Sequence, residues 1–114
     1  MTPERRTIAI PRGAKIGPEQ RPMYGYGEVT AYCAGGLAAH KSLPGTRWKW
    51  QITHEASGMR IDLLGAMTCR DAIANMQAAI AIDFDWTQGE AETVAALRTR
   101  RDVVDAIRAI GTHN

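Results

Sequence analysis

Hydrophobic and polar residues alternate strictly in the middle of the chain. The even positions hold Trp48, Trp50, Ile52 and His54, and the odd positions hold Arg47, Lys49, Gln51, Thr53 and Glu55. A period of two predicts a β-strand with one buried and one solvated face. A two-residue turn at Ser57-Gly58 then places Glu55 opposite Arg60. Residues 47–64 are therefore predicted to form a β-hairpin whose tryptophan face lies in the core.

Two further strands are predicted before this hairpin. Residues 28–33 and 37–43 are rich in strand-forming side chains, and Gly35-Gly36 between them indicates a turn or bulge. Pro44-Gly45 marks the next turn. With the hairpin, these segments predict an antiparallel β-meander of three or four strands.

The beginning of the chain is predicted to be an N-terminal arm. Residues 7–10 favour a β-strand, but Pro11 ends it. The glycines and prolines that follow, at positions 13, 17, 18 and 22, do not sustain regular structure. We expect a basic arm over residues 1–22, with at most one edge strand, and a single α+β domain over residues 23–114.

Two helices are predicted after the meander. Thr68 with Asp71 three residues later is typical of a capped helix start, and apolar residues recur at helical spacing through about Ile82. Residues 87–90 repeat the capping pattern before a second helix that ends near Gly111. Two shorter helices that meet near Thr99 are an alternative. The predicted fold is α+β, with the helices packed on one sheet face.

Composition supports one domain and places its excess charge at one end. The chain has 114 residues, of which 45% are hydrophobic, and its formal net charge is +2. Residues 1–22 carry five basic and two acidic side chains, 5 − 2 = +3, and the rest carries 9 − 10 = −1. With two cysteines and no hydrophobic leader we expect a reducing, cytoplasmic compartment. No apolar run approaches ~20 residues, so no membrane partner is expected.

Four side chains are of the types that bind zinc: Cys33, His40, His54 and Cys69. Structural zinc sites bring ligands in close pairs such as Cys-x2-Cys, and this chain has none. We therefore predict no metal and no cofactor. The favoured interpretation is that both cysteines are small buried hydrophobic residues and that His54 ends the apolar strand face.

The candidate catalytic residues are less convincing than the zinc candidates, and we predict that the protein is not an enzyme. A nucleophilic cysteine needs a neighbouring base and a setting that stabilises its thiolate. Cys33 sits in a strand without such a setting, and Cys69 at a helix start has no evident base. Asp83 and Asp85 bracket a connector, whereas a hydrolase requires a defined pair in a cleft.

Binding residues are predicted on the polar hairpin face and in the arm. They are Arg47, Lys49, Gln51 and Arg60 in the hairpin, and Arg12, Lys15 and Arg21 in the arm. Tyr24 and Tyr26 beside the arm make nucleic acid a possible partner, because single-strand binders combine cations with aromatic rings. Acidic residues dilute this patch, and the net charge is low for that function. An apolar face that the helices leave uncovered makes a homodimer a further possibility.

Part of the chain resembles a family of small mobile-element proteins. Its residues are Leu37-Ala38-Ala39-His40-Lys41, the stretch 50–59 (WQITHEASGM), and a Thr-capped, Ala-rich helix leading to Asp85-Trp86. This pattern resembles small uncharacterised proteins that phages and plasmids carry. The resemblance implies a non-enzymatic protein-protein interaction protein, for example an inhibitor of a host defence complex as anti-CRISPR proteins are. The implied partner is a host protein or protein complex.

Overall fold

The computed structural model describes residues 3–11, 26–42 and 48–112. In these ranges the strands are β1 (Glu4–Pro11), β2 (Tyr26–Ala34), β3 (Leu37–Lys41) and β4 (Trp50–His54). The helices are α1 (Cys69–Ile80), α2 (Glu90–Thr99) and α3 (Arg101–Thr112), and a 3₁₀ turn spans Asp62–Leu64. The fold is α+β, a meander followed by helices, as the hydrophobic pattern predicts.

The sheet is antiparallel with the strand order β1-β2-β3-β4. Gly35 and Gly36 connect β2 to β3 in a two-residue turn, since Ala34 pairs directly with Leu37. Their φ angles are 56° and 94°. Tight hairpin turns of type I′ need two positive φ angles, which glycine adopts without steric cost. The predicted turn is confirmed.

Strand β1 changes the predicted division of the chain. It pairs with β2 over eight residues, from Glu4 opposite Cys33 to Pro11 opposite Tyr26. Ile8 packs against a small buried cluster on this sheet face. Residues 4–11 therefore form an edge strand of the domain and do not belong to a separate arm. Charged residues at its start resemble an arm in sequence because exposed edge strands are commonly charged. The rest of the predicted arm, residues 12–22, lies outside the described residues.

The hairpin differs from its predicted register. Arg60 pairs with Thr53, two residues from the predicted partner Glu55. Six residues lie between Thr53 and Arg60, and within this stretch the His54 amide donates to the Met59 carbonyl at 2.8 Å. A second bridge joins Trp50 to Ala66, and the 3₁₀ turn occupies the space between the two bridges. The predicted second strand over residues 59–64 is therefore wrong, because the chain bulges away from β4.

The main core lies between the sheet and the helices. Helix α1 packs on β2, β3 and β4, α3 packs on α1 and on the 3₁₀ turn, and α2 packs on α3. Core residues from the sheet include Leu37, Ala39 and Ile52, and those from the helices include Ala72, Met76, Ala79, Val103 and Ile107. Trp50 is half-buried against this cluster. Ile52 confirms the predicted inner face of the hairpin.

The opposite face of β4 is also buried, contrary to prediction. Gln51 is 5% exposed and Thr53 is 1% exposed. They pair with His40 and Ala38 of β3, and both of those residues are fully buried. Alternate side chains of β4 therefore lie in two different interior regions. Those that face the helices lie in the apolar core, whereas Gln51 and Thr53 are buried on the opposite face of the sheet.

The helix starts show which capping patterns are used. Thr68 caps α1, and its hydroxyl accepts a hydrogen bond from the Asp71 amide at 3.2 Å. Gly89, not Thr87, precedes α2. At Arg100 the backbone leaves the helical region (φ −94°, ψ 75°), so the alternative of two shorter helices is confirmed.

No helix in the described part of the chain is long and apolar enough to cross a membrane.

Candidate functional site

Of the predicted binding residues that the structure describes, two are exposed and one is buried. Lys49 and Arg60 are exposed, and Arg60 forms an ion pair with Asp62. Gln51 is buried, so its assignment to a solvated binding face is wrong. Arg47, Arg12, Lys15 and Arg21 lie outside the described residues. Glu55, expected to pair with Arg60, instead accepts a hydrogen bond from Arg6 at 3.1 Å.

His40 links β3 to β4 on the sheet face opposite the helices. Its Nδ1 lies 2.8 Å from the Lys41 carbonyl oxygen, and its Nε2 lies 2.8 Å from the Thr53 hydroxyl. A carbonyl only accepts, so Nδ1 carries the proton and donates it, while Nε2 accepts from Thr53. Burial lowers the pKa of His40, because the charged imidazolium loses its hydration. The ring is neutral and both of its nitrogens are engaged.

His54 links the hairpin loop to the connector before α2. Its Nε2 donates to the Trp86 carbonyl at 2.8 Å, and its Nδ1 accepts from the Ser57 hydroxyl at 2.7 Å. A serine bonded to an oriented histidine is also the arrangement of hydrolytic nucleophiles. This pair is absent from the predicted site residues, although the spacing of three residues across a tight loop indicates it.

The surroundings of this pair favour a structural role. An acyl-transfer site needs free N–H groups directed at the developing oxyanion. Here the Gly58 amide donates to the His54 carbonyl at 2.8 Å, and the Met59 amide donates to Ser57 Oγ at 3.0 Å. The nearest loop amides are thus used to hold the loop itself. The pair fixes the loop against the body of the fold.

The other chemical candidates are also held in structural contacts. Cys33 is buried, and burial with the nearby Glu55 charge raises its pKa to about 11, so the thiol stays protonated near neutral pH. Hydrogen bonds from Thr87 lower the pKa of Asp85. Cys69 is the first residue of α1. Among residues 3–11, 26–42 and 48–112, no three histidine, cysteine or acidic side chains are grouped as a metal ion requires.

A cleft between α2 and α3 is the candidate binding site. Its volume is about 230 Å³. Six side chains line it: Leu97, Arg98, Arg101, Val104, Asp105 and Arg108. Leu97 and Val104 are half-buried and form an apolar floor, whereas the four charged residues are exposed and form the rim. We call this feature the arginine cleft.

The arginines of the rim are electrostatically available. Arg98, Arg101 and Arg108 form no ion pair with any carboxylate of the described chain. Arg100 differs, since it donates to both oxygens of Asp102 at 3.0 Å and to the Asp83 carbonyl at 3.1 Å. Those bonds from Arg100 lower the pKa of Asp102. Arg100 thus holds the α2–α3 junction, while the rim arginines face solvent.

The sequence predicts the helices near Thr99 but not the arginine cleft, because a cleft requires the two helices to meet at an angle. The signal is the spacing of Arg98, Arg101, Asp105 and Arg108, which are separated by three, four and three residues. Such spacing places side chains on one helical face. The bend at Arg100 then makes this face concave.

Comparison with known proteins gives no further assignment. The chain matches no protein-family model, and no curated protein and no solved structure is significantly similar to it.

Proposed function

We propose that this protein is a small, non-enzymatic interaction protein that binds another protein through the arginine cleft. The observation that carries the proposal is three exposed arginines around an apolar floor, none of which pairs with a carboxylate among the described residues. Arginine is enriched at the energetic centres of protein interfaces, because it combines a planar cation with a long apolar stem.

The internal use of the chemical side chains supports the same proposal. His40 and His54 each bond to a backbone carbonyl and to a hydroxyl, and Cys33 is buried and protonated. These groups stabilise the contacts between strands, loop and connector. At the arginine cleft, charged side chains face solvent and surround an apolar floor. Protein interfaces commonly combine an apolar centre with such a polar rim.

The biological setting is part of the proposal. The resemblance of residues 37–86 to phage- and plasmid-borne proteins supports a mobile genetic element as the source and a host protein complex as the target. In that setting the protein acts as an inhibitor by occlusion. Cys33 and Cys69 are free thiols, which supports a reducing, cytoplasmic compartment.

A pull-down from host lysate tests the proposed function. Tagged protein is incubated with lysate, and half of the sample is treated with nuclease before washing. We expect a discrete host protein to remain bound after nuclease treatment. Loss of all bound material on nuclease treatment would instead indicate nucleic-acid binding, which the exposed cations Lys49 and Arg60 favour as the second candidate.

A further inference from the structure

We propose that the arginine cleft binds an acidic, amphipathic helical segment of the partner protein. This inference rests on the proposed function and specifies the chemistry of the partner. An apolar side chain of the segment packs on Leu97 and Val104, and carboxylates on either side of it pair with the rim arginines.

The size of the cleft favours a side chain over a cofactor. Its volume of about 230 Å³ is below the ~300–1,000 Å³ of typical small-molecule sites. A shallow groove between two helices with an apolar floor is a common receptor for one face of an amphipathic helix. The half-buried Leu97 and Val104 supply the apolar contact that such a helix needs.

The charges of the rim favour carboxylates. Three arginines surround one carboxylate, Asp105, so the rim carries 3 − 1 = +2. A guanidinium forms two parallel hydrogen bonds to a carboxylate, which adds geometric specificity to the attraction. Because the rim arginines have no carboxylate partner in the described chain, binding breaks no such pair.

The same charges are less suited to nucleic acid. Residues 90–112 contain four arginines and four acidic residues, 4 − 4 = 0. Nucleic-acid binding depends on a continuous basic surface that neutralises several phosphates. A local positive rim on a neutral pair of helices suits a compact acidic patch better.

Fluorescence anisotropy with defined probes tests the inference. The main probe is a short labelled synthetic peptide with leucines on one helical face and glutamates beside them. Comparison probes replace the glutamates with lysine, replace the leucines with serine, or use a single-stranded DNA oligonucleotide of mixed sequence. We expect the acidic amphipathic peptide to bind more tightly than each of the three comparison probes.

Two variants locate the binding. The double variant Arg101→Glu and Arg108→Glu should bind the acidic peptide at least about tenfold more weakly, since it reverses two contacts of the rim. Arg70→Glu is the matched control, because Arg70 is an exposed helical arginine outside the cleft. It should bind as the parent does. Circular dichroism establishes that both variants fold.

A measurement on the unaltered protein complements these variants. In ¹H-¹⁵N spectra, addition of the peptide should shift the amide signals of Leu97 and Val104 and leave those of β1 in place. Equal binding by the double variant, equal loss in Arg70→Glu, or tighter binding of the oligonucleotide would each overturn the inference.

The inference and the proposed function fail separately. If the parent captures a host protein that the double variant loses, but the acidic peptide does not bind the parent, the proposed function stands and the inference about the chemistry of the partner fails. If no host protein remains after nuclease treatment, the interaction function itself fails.

Discussion

The two buried histidines lie on opposite faces of the sheet, and each is held in one tautomer by a backbone carbonyl. His40 donates through Nδ1 to the Lys41 carbonyl, and His54 donates through Nε2 to the Trp86 carbonyl. The other nitrogen of each ring accepts a hydrogen bond from a hydroxyl group. Both residues therefore connect elements of the fold.

The lowered pKa of His40 predicts a loss of stability in acid. Its folded-state pKa lies below the ordinary value of 6.5, so the unfolded chain binds more protons between these two values. This contribution is complete above the ordinary value and is lost as the pH falls through it toward the folded-state pKa. Urea denaturation at a series of pH values should show this decrease, and His40→Gln should flatten it. An equal slope in the variant would contradict the assignment to His40.

Trp86 is predicted to matter more for stability than Trp50. Trp86 is 2% exposed, its indole N–H donates to the Ala79 carbonyl at 3.0 Å, and its ring meets that of Phe84 edge to face at 4.7 Å. Truncation of a buried tryptophan costs ~3–5 kcal/mol, so Trp86→Ala should unfold much of the protein. Trp50→Ala should cost less because Trp50 is half-buried. Chemical denaturation measures both, and equal losses would show that burial does not set the order.

At the scale of elements, the two capping patterns provide a matched comparison. Thr68 accepts the Asp71 amide proton at the start of α1, whereas Thr87 lies before Gly89 and bonds to Asp85 instead. Thr68→Ala should lower the free energy of unfolding by ~0.5–2 kcal/mol. Thr87→Ala should lower it less, because that threonine caps no helix. Thermal and urea unfolding of the two variants would contradict this reading if Thr87→Ala were the more damaging.

Strand β1 offers a second comparison, because its two faces differ. Ile8 packs on the buried cluster of Ala31, Cys33 and Ala38, while the neighbouring Thr7 is exposed. Ile8→Lys should cost ~1–2 kcal/mol of unfolding free energy through lost apolar burial. Thr7→Lys should cost little and serves as the control. If both variants melt as the parent does, β1 does not contribute to the stability of the domain.

At the scale of the whole molecule, the ion pairs among the described residues retain contact with solvent, and the main core between the sheet and the helices is apolar. Arg6 with Glu55, Arg60 with Asp62 and Arg100 with Asp102 all retain contact with solvent. Water and salt screen such pairs, so they contribute little to folding. The fold is therefore expected to depend on burial, and its surface charges are available for recognition.

This separation predicts different salt responses for folding and binding. The melting temperature should change by only a few degrees between about 50 and about 500 mM NaCl, because screening removes little stability. Binding of the acidic peptide to the arginine cleft should weaken over the same range. A large drop in melting temperature with salt would show that the surface ion pairs stabilise the fold.

The sequence by itself determined the elements that local physics controls. The Gly35-Gly36 turn follows from the φ angles that only glycine adopts easily, and the start of α1 follows from the Thr68 side chain. The strands β2 and β3 and the α+β order follow from hydrophobic spacing. Even the break between α2 and α3 was visible as an alternative near Thr99. Each of these signals acts over a few neighbouring residues.

Only the tertiary structure decided what lies against each element. The polar side chains at alternate positions of β4 predict a solvated face, but Gln51 and Thr53 are buried in the folded chain. The hairpin register also differs from the predicted one, and His54 at the start of the loop bonds to the Trp86 carbonyl 32 residues away. The arginine cleft likewise exists because the chain bends at Arg100, which bonds to Asp83 of another segment. Burial and concavity depend on contacts between residues far apart in the chain, and a local pattern of residue types does not encode those contacts.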